Sequence, residues 1–399
     1  MQRMTMLWEV FVARFEEAFE QYQRHRLTGE EAGELLGMSG RNFRRMCVRY
    51  EEDGVEGLRD RRIGKVSPRR TPERELERMH DLYRERYSDF TVKHFHEQLV
   101  ERHDYKLCYT VTKLSLQAAG LAAKAKRRSA HRKKRVRRPL PGMLLFQDGS
   151  THRWIAALGR DLDLIVTLDD ATGAICSAFL VEQEGTMSSF LGLAETIERH
   201  GLFGAFYTDR GGHYFITPKG AGKVDKTQLT QVGRALSQLG ITHIPSYSPQ
   251  GRGRMERVFG TLQKRLPQEL RLARIKTMAA ANRFLRDRFV PDYNARFAVA
   301  AAEPGTAFVP YVGRPIEDVL CVQEDRVVGA DNCVSWHRRS LQIPPQRHRH
   351  HYVRATVRVH QYPDGRLAIF DAGRRPCRGL RLGGVCSRRD GAPRSTCGA

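Results

Sequence analysis

No apolar stretch of this 399-residue chain is long enough to cross a bilayer, and its first residues lack the apolar centre of a signal peptide. We therefore expect a cytoplasmic protein with no membrane partner. The eight cysteines lie far apart with no C-x-x-C pair, which argues against a disulfide framework and a zinc ribbon alike. No period of solenoid length recurs. Negative charge is also short: 45 acidic residues face 68 Lys and Arg, leaving a formal charge of +23. Such an imbalance says nothing about fold, but it argues for a polyanionic partner, with nucleic acid first.

What is present starts with helices. Leu7, Phe11, Phe15, Ala18 and Tyr22 recur on one side of a helix over residues 5–24. Thr28 and Glu31 have capping-box spacing, Leu35 and Leu36 end a short helix, Gly37 permits a turn, and Ser39 can cap the next helix. This is the layout of a helix-turn-helix over residues 1–58. Its second helix carries Arg41, Asn42, Arg44, Arg45 and Arg49, placed to reach a major groove. A three-helix bundle with a merely solvated basic face is the bland reading, and the surplus of arginine weighs against it. A basic linker (59–72) leads to a second helical, helix-turn-helix-like unit (73–122), with helices marked by Leu76–Tyr83, Val92–Val100 and Tyr109–Leu121. A second basic linker (123–141) holds Lys126, Arg127, Arg128, Lys133 and Lys134, with no acid between Lys124 and Arg138. Such a block is solvated when free and is ordered by phosphate contact.

Residues 142–300 change pattern. Strands are expected at Met143–Gln147, Leu162–Leu168 and Ala174–Val181, the last two joined by the turn Asp169–Gly173. Helix and strand then alternate, giving a mixed sheet with helices on both faces. Two apolar strands end in acids, Asp148 and Asp209, and a third acid, Glu256, stands on a helix among Arg252, Arg254 and Arg257, which are expected to contact DNA. Each acid alone reads more simply as a turn-former or a surface residue. Together, in a strongly basic chain, they call for a divalent metal facing a phosphodiester. Asp169 and Asp170 are rival ligands, although their place before Ala171-Thr172-Gly173 suits a turn. A linker (301–319) and short strands over 320–373 follow, expected to form a small β-barrel. The Arg-, Gly- and Cys-rich tail (374–399) has little to bury and is expected to be disordered.

Three segments carry a resemblance: Gln147-Asp148-Gly149-Ser150, Tyr207-Thr208-Asp209-Arg210-Gly211-Gly212-His213-Tyr214, and Tyr247 through Arg257. Taken in this order, residues 1–375 or so resemble integrase-core transposases of bacterial insertion sequences, of the ISNCY-type group. The resemblance implies a ribonuclease-H-like core whose catalytic and metal-holding triad is Asp148, Asp209 and Glu256. Mg²⁺ would be the cofactor, with Mn²⁺ substituting. It also implies double-stranded DNA as partner, both inverted-repeat ends and target, and a homo-oligomer on that DNA, associated with the nucleoid. Asp209 and Glu256 stand wider apart in sequence than is usual in the clan, the extra length falling in Phe215–Lys226. The fold class expected is thus multidomain α and α/β: helix-turn-helix units, the ribonuclease-H-like mixed sheet, and a C-terminal barrel. The expected function is a DNA transposase cutting and joining DNA with metal. The alternative is a DNA-binding regulator with an inactive integrase-like core.

Overall fold

The computed structural model describes residues 2–60, 71–124, 135–218, 222–225, 227–247, 249–345 and 349–371. The two linkers fall partly outside these residues. Lys126, Arg127, Arg128, Lys133 and Lys134, and the tail 374–399, fall wholly outside them. Among the described residues no helix is long and apolar enough to cross a membrane. The chain divides into two compact units, Met1–Asp81 and Leu82–Ala399.

The first unit contains α1 (Gln2–Gln23), α2 (Gly29–Leu35) and α3 (Gly40–Asp53), with α4 (Glu73–Arg86) beginning near its end. The capping box is formed: Glu31 N–H donates to the Thr28 hydroxyl at 3.3 Å, and Thr28 N–H donates to the Glu31 carboxylate at 2.8 Å. Ser39 caps α3 by accepting from Asn42 N–H. Phe15, Ala18, Ala32, Phe43, Met46, Cys47 and Leu58 bury one shared core. Gly33 makes the tight α2–α3 approach possible, because a Cβ there would lie 2.8 Å from both the Gly40 nitrogen and the Met38 carbonyl oxygen.

In the second unit α5 (Val92–Arg102) and α6 (Tyr109–Ala118) precede the sheet. Next come β1 (Leu145–His152), β2 (Leu162–Asp169), β3 (Ile175–Val181), α7 (Thr186–His200), β4 (Ala205–Thr208), α8 (Gln231–Gln238) and β5 (Thr242–Pro245). The five strands run β3-β2-β1-β4-β5, with β2 antiparallel to its neighbours and β4 and β5 parallel to β1. The helices α9 (Pro249–Leu262), α10 (Leu266–Leu272), α11 (Met278–Phe284) and α12 (Val290–Phe297) complete this region, α11 and α12 being joined by a π-turn over Leu285–Phe289. One face of the sheet, with Phe146, Leu164 and Val166, packs with Met255, Phe259, Leu262, Leu285 and Tyr293 from these helices. The other face, with Leu145 and Phe206, packs with Phe190 and Leu193 of α7 and Val232 and Leu236 of α8. Helices thus cover both faces, as the alternating pattern requires.

The outer edge of β3 would leave backbone groups unpaired. Two asparagines occupy it. Asn282 accepts from Leu180 N–H and donates to its carbonyl, and Asn294 does the same at Ile175, all at 2.7–2.9 Å. The α5 helix docks on α10 through buried polar contacts. His94 and Gln98 reach Glu269 at 2.7 and 2.9 Å, while Glu97 takes Arg265 and Arg296.

The expected C-terminal barrel needs correcting. β6 (Val322–Val327), β9 (Thr356–Gln361) and β10 (Leu367–Asp371) form a three-stranded antiparallel sheet, and β7 (Cys333–Trp336) with β8 (Arg339–Gln342) forms a separate hairpin. The two share a core of Val334, Trp336, Leu341, Tyr352, Val357, Val359 and Ile369. Among the described strands no ladder joins the sheet to the hairpin, and only side chains pack between them, so the strands are stacked rather than closed into a cylinder.

Candidate active site

Register alone brings the first two acids together. β1 pairs in parallel with β4, with Leu145 opposite Phe206 and Phe146 opposite Tyr207. Two residues beyond Phe146 and Tyr207 come Asp148 and Asp209, close enough for the charge of Asp209 to act on Asp148. Side chains alternate along a strand, so both acids follow Phe146 and Tyr207 onto the face covered by α9. The Phe146 and Tyr207 rings meet there, 5.2 Å apart. β1 runs through Asp148 to His152, so the acid lies within the strand and not at its end as the sequence pattern implies. Asp209 follows β4 directly, and its carboxylate accepts from Gly211 N–H at 2.9 Å. Met255, Val258, Phe259 and Leu262 hold α9 on the sheet, which leaves Glu256 exposed and Arg252, one helical turn before it, reaching the cleft.

Asp209 and Glu256 line one open cleft of about 580 Å³ with Arg210, Gly211, Ser246, Tyr247 and Arg252. Asp148 lies deeper, its side chain 11% exposed, and both its oxygens accept from one nitrogen of Arg252, at 2.7 and 2.6 Å. Burial raises the Asp148 carboxyl above the usual range, and the neighbouring charge of Asp209 adds to this against the pull of Arg252. Burial tends to lower Arg252, but Asp148, Asp209 and Glu256 outweigh it and hold the guanidinium firmly charged. Among the described residues, no three His, Cys, Asp or Glu side chains are gathered closely enough to hold an ion as they stand.

A fourth acid escapes the sequence reading. Glu184 follows β3, whose C-terminal end lies at the same sheet edge as those of β1 and β4. Its carboxyl is pushed up to about 7, first by burial and then by the charges of Asp148, Asp209 and Asp163. The Glu184 carboxylate rests against Gly149, where a Cβ would lie 2.3 Å from it. Only the strand order could have revealed this, since no local motif marks Glu184.

The other expected residues divide. Arg41, Asn42, Arg44 and Arg45 are exposed on α3, with Arg44 paired to Glu30 at 3.0 Å, while Arg49 is half-buried and donates to the Arg59 carbonyl. Arg257 is exposed on α9. Arg254 turns inward to a fully buried Asp170, which also takes Arg135 and the Arg138 N–H. Asp169 serves the turn, accepting from Thr172 and from Gly142 N–H. Both rival acids are thus engaged away from the cleft, and Glu269 is held by His94 and Gln98.

The described residues combine a helix-turn-helix with a mixed sheet that carries two acids near one end and a third on the covering helix. The Helix-turn-helix domain family matches residues 16–65. The protein y4bF of Sinorhizobium fredii, named as a transposase, is 34% identical over 346 residues, covering 86% of this chain and 75% of its own length. The transposase for insertion sequence IS1202 of Streptococcus pneumoniae is 29% identical over 299 residues, covering 66% and 63%. The chain belongs to the family of insertion-sequence transposases, and its function is DNA transposition. Solved structures of lower likeness include a simian T-cell lymphotropic virus intasome (15% identity, 66% of this chain and 84% of that one, TM-score 0.33). Another is the HTLV-2 integrase catalytic core domain with magnesium (18% identity, 36% and 82%, TM-score 0.27).

Proposed function

We propose that Asp148, Asp209 and Glu256 form a metal-holding triad that cleaves and rejoins DNA at the ends of the element. The observation that carries this is the β1–β4 register, which leads toward Asp148 and Asp209 at one end of the sheet, within electrostatic reach of each other, beneath the helix that presents Glu256. The donors are hard oxygens, as Mg²⁺ prefers, and the position between the two Asp148 oxygens already accepts a cationic group. Held by Asp148, Asp209 and Glu256, two such ions would activate the attacking water or 3′-hydroxyl and stabilise the leaving oxygen. The chain's own residues do the positioning. β1 and β4 fix the two aspartates, α9 brings Glu256, and the open cleft admits a phosphodiester between them. Arg210 lines the same cleft, and exposed Arg257 lies one residue beyond Glu256; both are suited to neighbouring phosphates. Arg254 is engaged by Asp170 and positions α9 instead.

The helix-turn-helix reads the terminal repeats through Arg41, Asn42, Arg44 and Arg45, which are exposed on α3. The basic run Lys124–Arg138 adds contacts that ignore sequence. A labelled duplex carrying the terminal repeat, incubated with the full chain in Mg²⁺, tests this reading. Metal-dependent nicking at the repeat is the expected result. Sequence-specific binding with no cleavage in Mg²⁺ or Mn²⁺ would instead define a regulator with an inactive core.

A further inference from the structure

Arg252 occupies a position that the proposed triad needs for its metal. One of its guanidinium nitrogens lies 2.6 and 2.7 Å from the two oxygens of Asp148, across the lone pairs an ion would take. A carboxylate–Mg²⁺ bond is about 2.0–2.1 Å long, so guanidinium and ion cannot share those oxygens. The same guanidinium is the counter-charge felt by Asp148, Asp209 and Glu256, and it acts on Glu184 as well. Four acids at one sheet edge repel one another unless a cation stands among them. Arg252 is also free to leave. It sits in the first turn of α9, its side chain is 37% exposed, and it lines the mouth of the open cleft.

We propose that Arg252 is a resident counter-cation that holds the carboxylates together before metal arrives, yields Asp148 to the metal, and then binds a DNA phosphate. Asp148 is at once a metal ligand and the latch on a DNA-binding arginine. The inference rests on the reading of Asp148 as a metal ligand. Its consequence is reciprocal coupling: metal frees Arg252 for DNA, and DNA that takes Arg252 raises metal affinity by the same factor. Loading of the site is thereby tied to engagement of DNA, which keeps a nuclease-like centre poorly charged until substrate is present.

The test is titration of the full chain with Mn²⁺ alone, free ion being read by electron paramagnetic resonance. Arg252→Gln should tighten the stronger site by about 10- to 100-fold, the effect of removing a charge-assisted hydrogen bond that competes with the ion. Arg252→Lys, which keeps a competing cation, should stay near wild type. Asp148→Asn should lose that site. Arg252→Gln binding no tighter, with Asp148→Asn still weakened, would overturn the role of Arg252 and leave the metal site standing. Asp148→Asn binding Mn²⁺ as wild type does would remove the metal site and the latch together. A measurement on the unmodified chain covers a misfolded variant. Phenylglyoxal labelling of Arg252, read by mass spectrometry, should rise when Ca²⁺ is added, and labelling unchanged by Ca²⁺ contradicts the exchange.

Discussion

Replacing Asp170 by Asn removes a negative charge on which two guanidiniums and a backbone N–H converge. Its side chain is 0% exposed; it pairs with Arg135 and Arg254 and accepts from Arg138 N–H at 2.8 Å. Arg137 bonds the carbonyls of Asp170 and Ala171 at 3.1 Å. The Arg254 guanidinium, 12% exposed, is pushed down to about 10 by burial and by Arg135, Arg137 and Arg257, so it already stands in a crowd of positive charge. Asparagine can keep the Arg138 contact but leaves Arg254 and Arg135 without their counter-charge. Breaking a buried pair from one side costs about 3–5 kcal/mol. For a unit of this size, each kcal/mol is about 2–4 °C of melting temperature, so a fall of roughly 6–20 °C is expected. Differential scanning calorimetry reads it. A double variant with Arg254→Met should regain part of the loss, since removing both partners is far less costly than removing one. Arg254 lies midway between Arg252 and Glu256 on α9, so activity should fall with stability. A melting temperature within about 1 °C of wild type would refute the reasoning, because surface changes cost no more than that.

Three further outcomes are expected. In metal-free buffer, Glu184→Gln should flatten the pH dependence of stability. The folded carboxyl, near 7 against an ordinary 4.5, stabilises at low pH and loses roughly 1–3 kcal/mol as pH rises through that window; superimposable melting profiles from pH 4 to 8 would count against the buried acid. Gly33→Val should unfold the helix-turn-helix, its Cβ meeting Gly40 backbone at 2.8 Å, and circular dichroism of the full chain should lose helix; unchanged helicity would contradict the close approach. Neutralising four charges between Lys124 and Arg138 should flatten the slope of log K against log salt on duplex DNA by about 0.9 for each phosphate no longer neutralised, and an unaltered slope would make the run a solvated linker.

Much of the fold can be read from local chemistry. Thr28, Glu31 and Ser39 announce their caps because capping is settled within three residues. The strands around Asp148 and Asp209 are visible as apolar runs that stop at an acid, although β1 in fact continues to His152. The spacing of Met255, Val258, Phe259 and Leu262 tells which side of α9 is buried, and so which side carries Glu256. What escapes is set by sheet order. Glu184 joins the site because β3 runs parallel to β1 with one strand between them, a fact with no signature near residue 184. Arg252 finds Asp148 across 104 positions, and Arg254 finds Asp170 across 84, so two arginines that look alike in sequence have different partners. Asp170 reads as a turn residue beside Thr172 and Gly173, yet the turn folds it inward onto α9. The barrel expectation fails for a similar reason: short alternating strands look the same whether they close or stack.

The central claim is that three carboxylates hold the metals that cut DNA, and Glu256→Gln tests it most directly. The change keeps the shape of an exposed side chain on α9 and removes its charge. The variant should melt as wild type does and bind terminal-repeat DNA with undiminished affinity. Its nicking rate in Mg²⁺ should fall by at least about a thousandfold, the loss expected when a metal ligand of the transition state is removed. A folded, DNA-bound Glu256→Gln protein cutting at a near-normal rate would contradict the assignment.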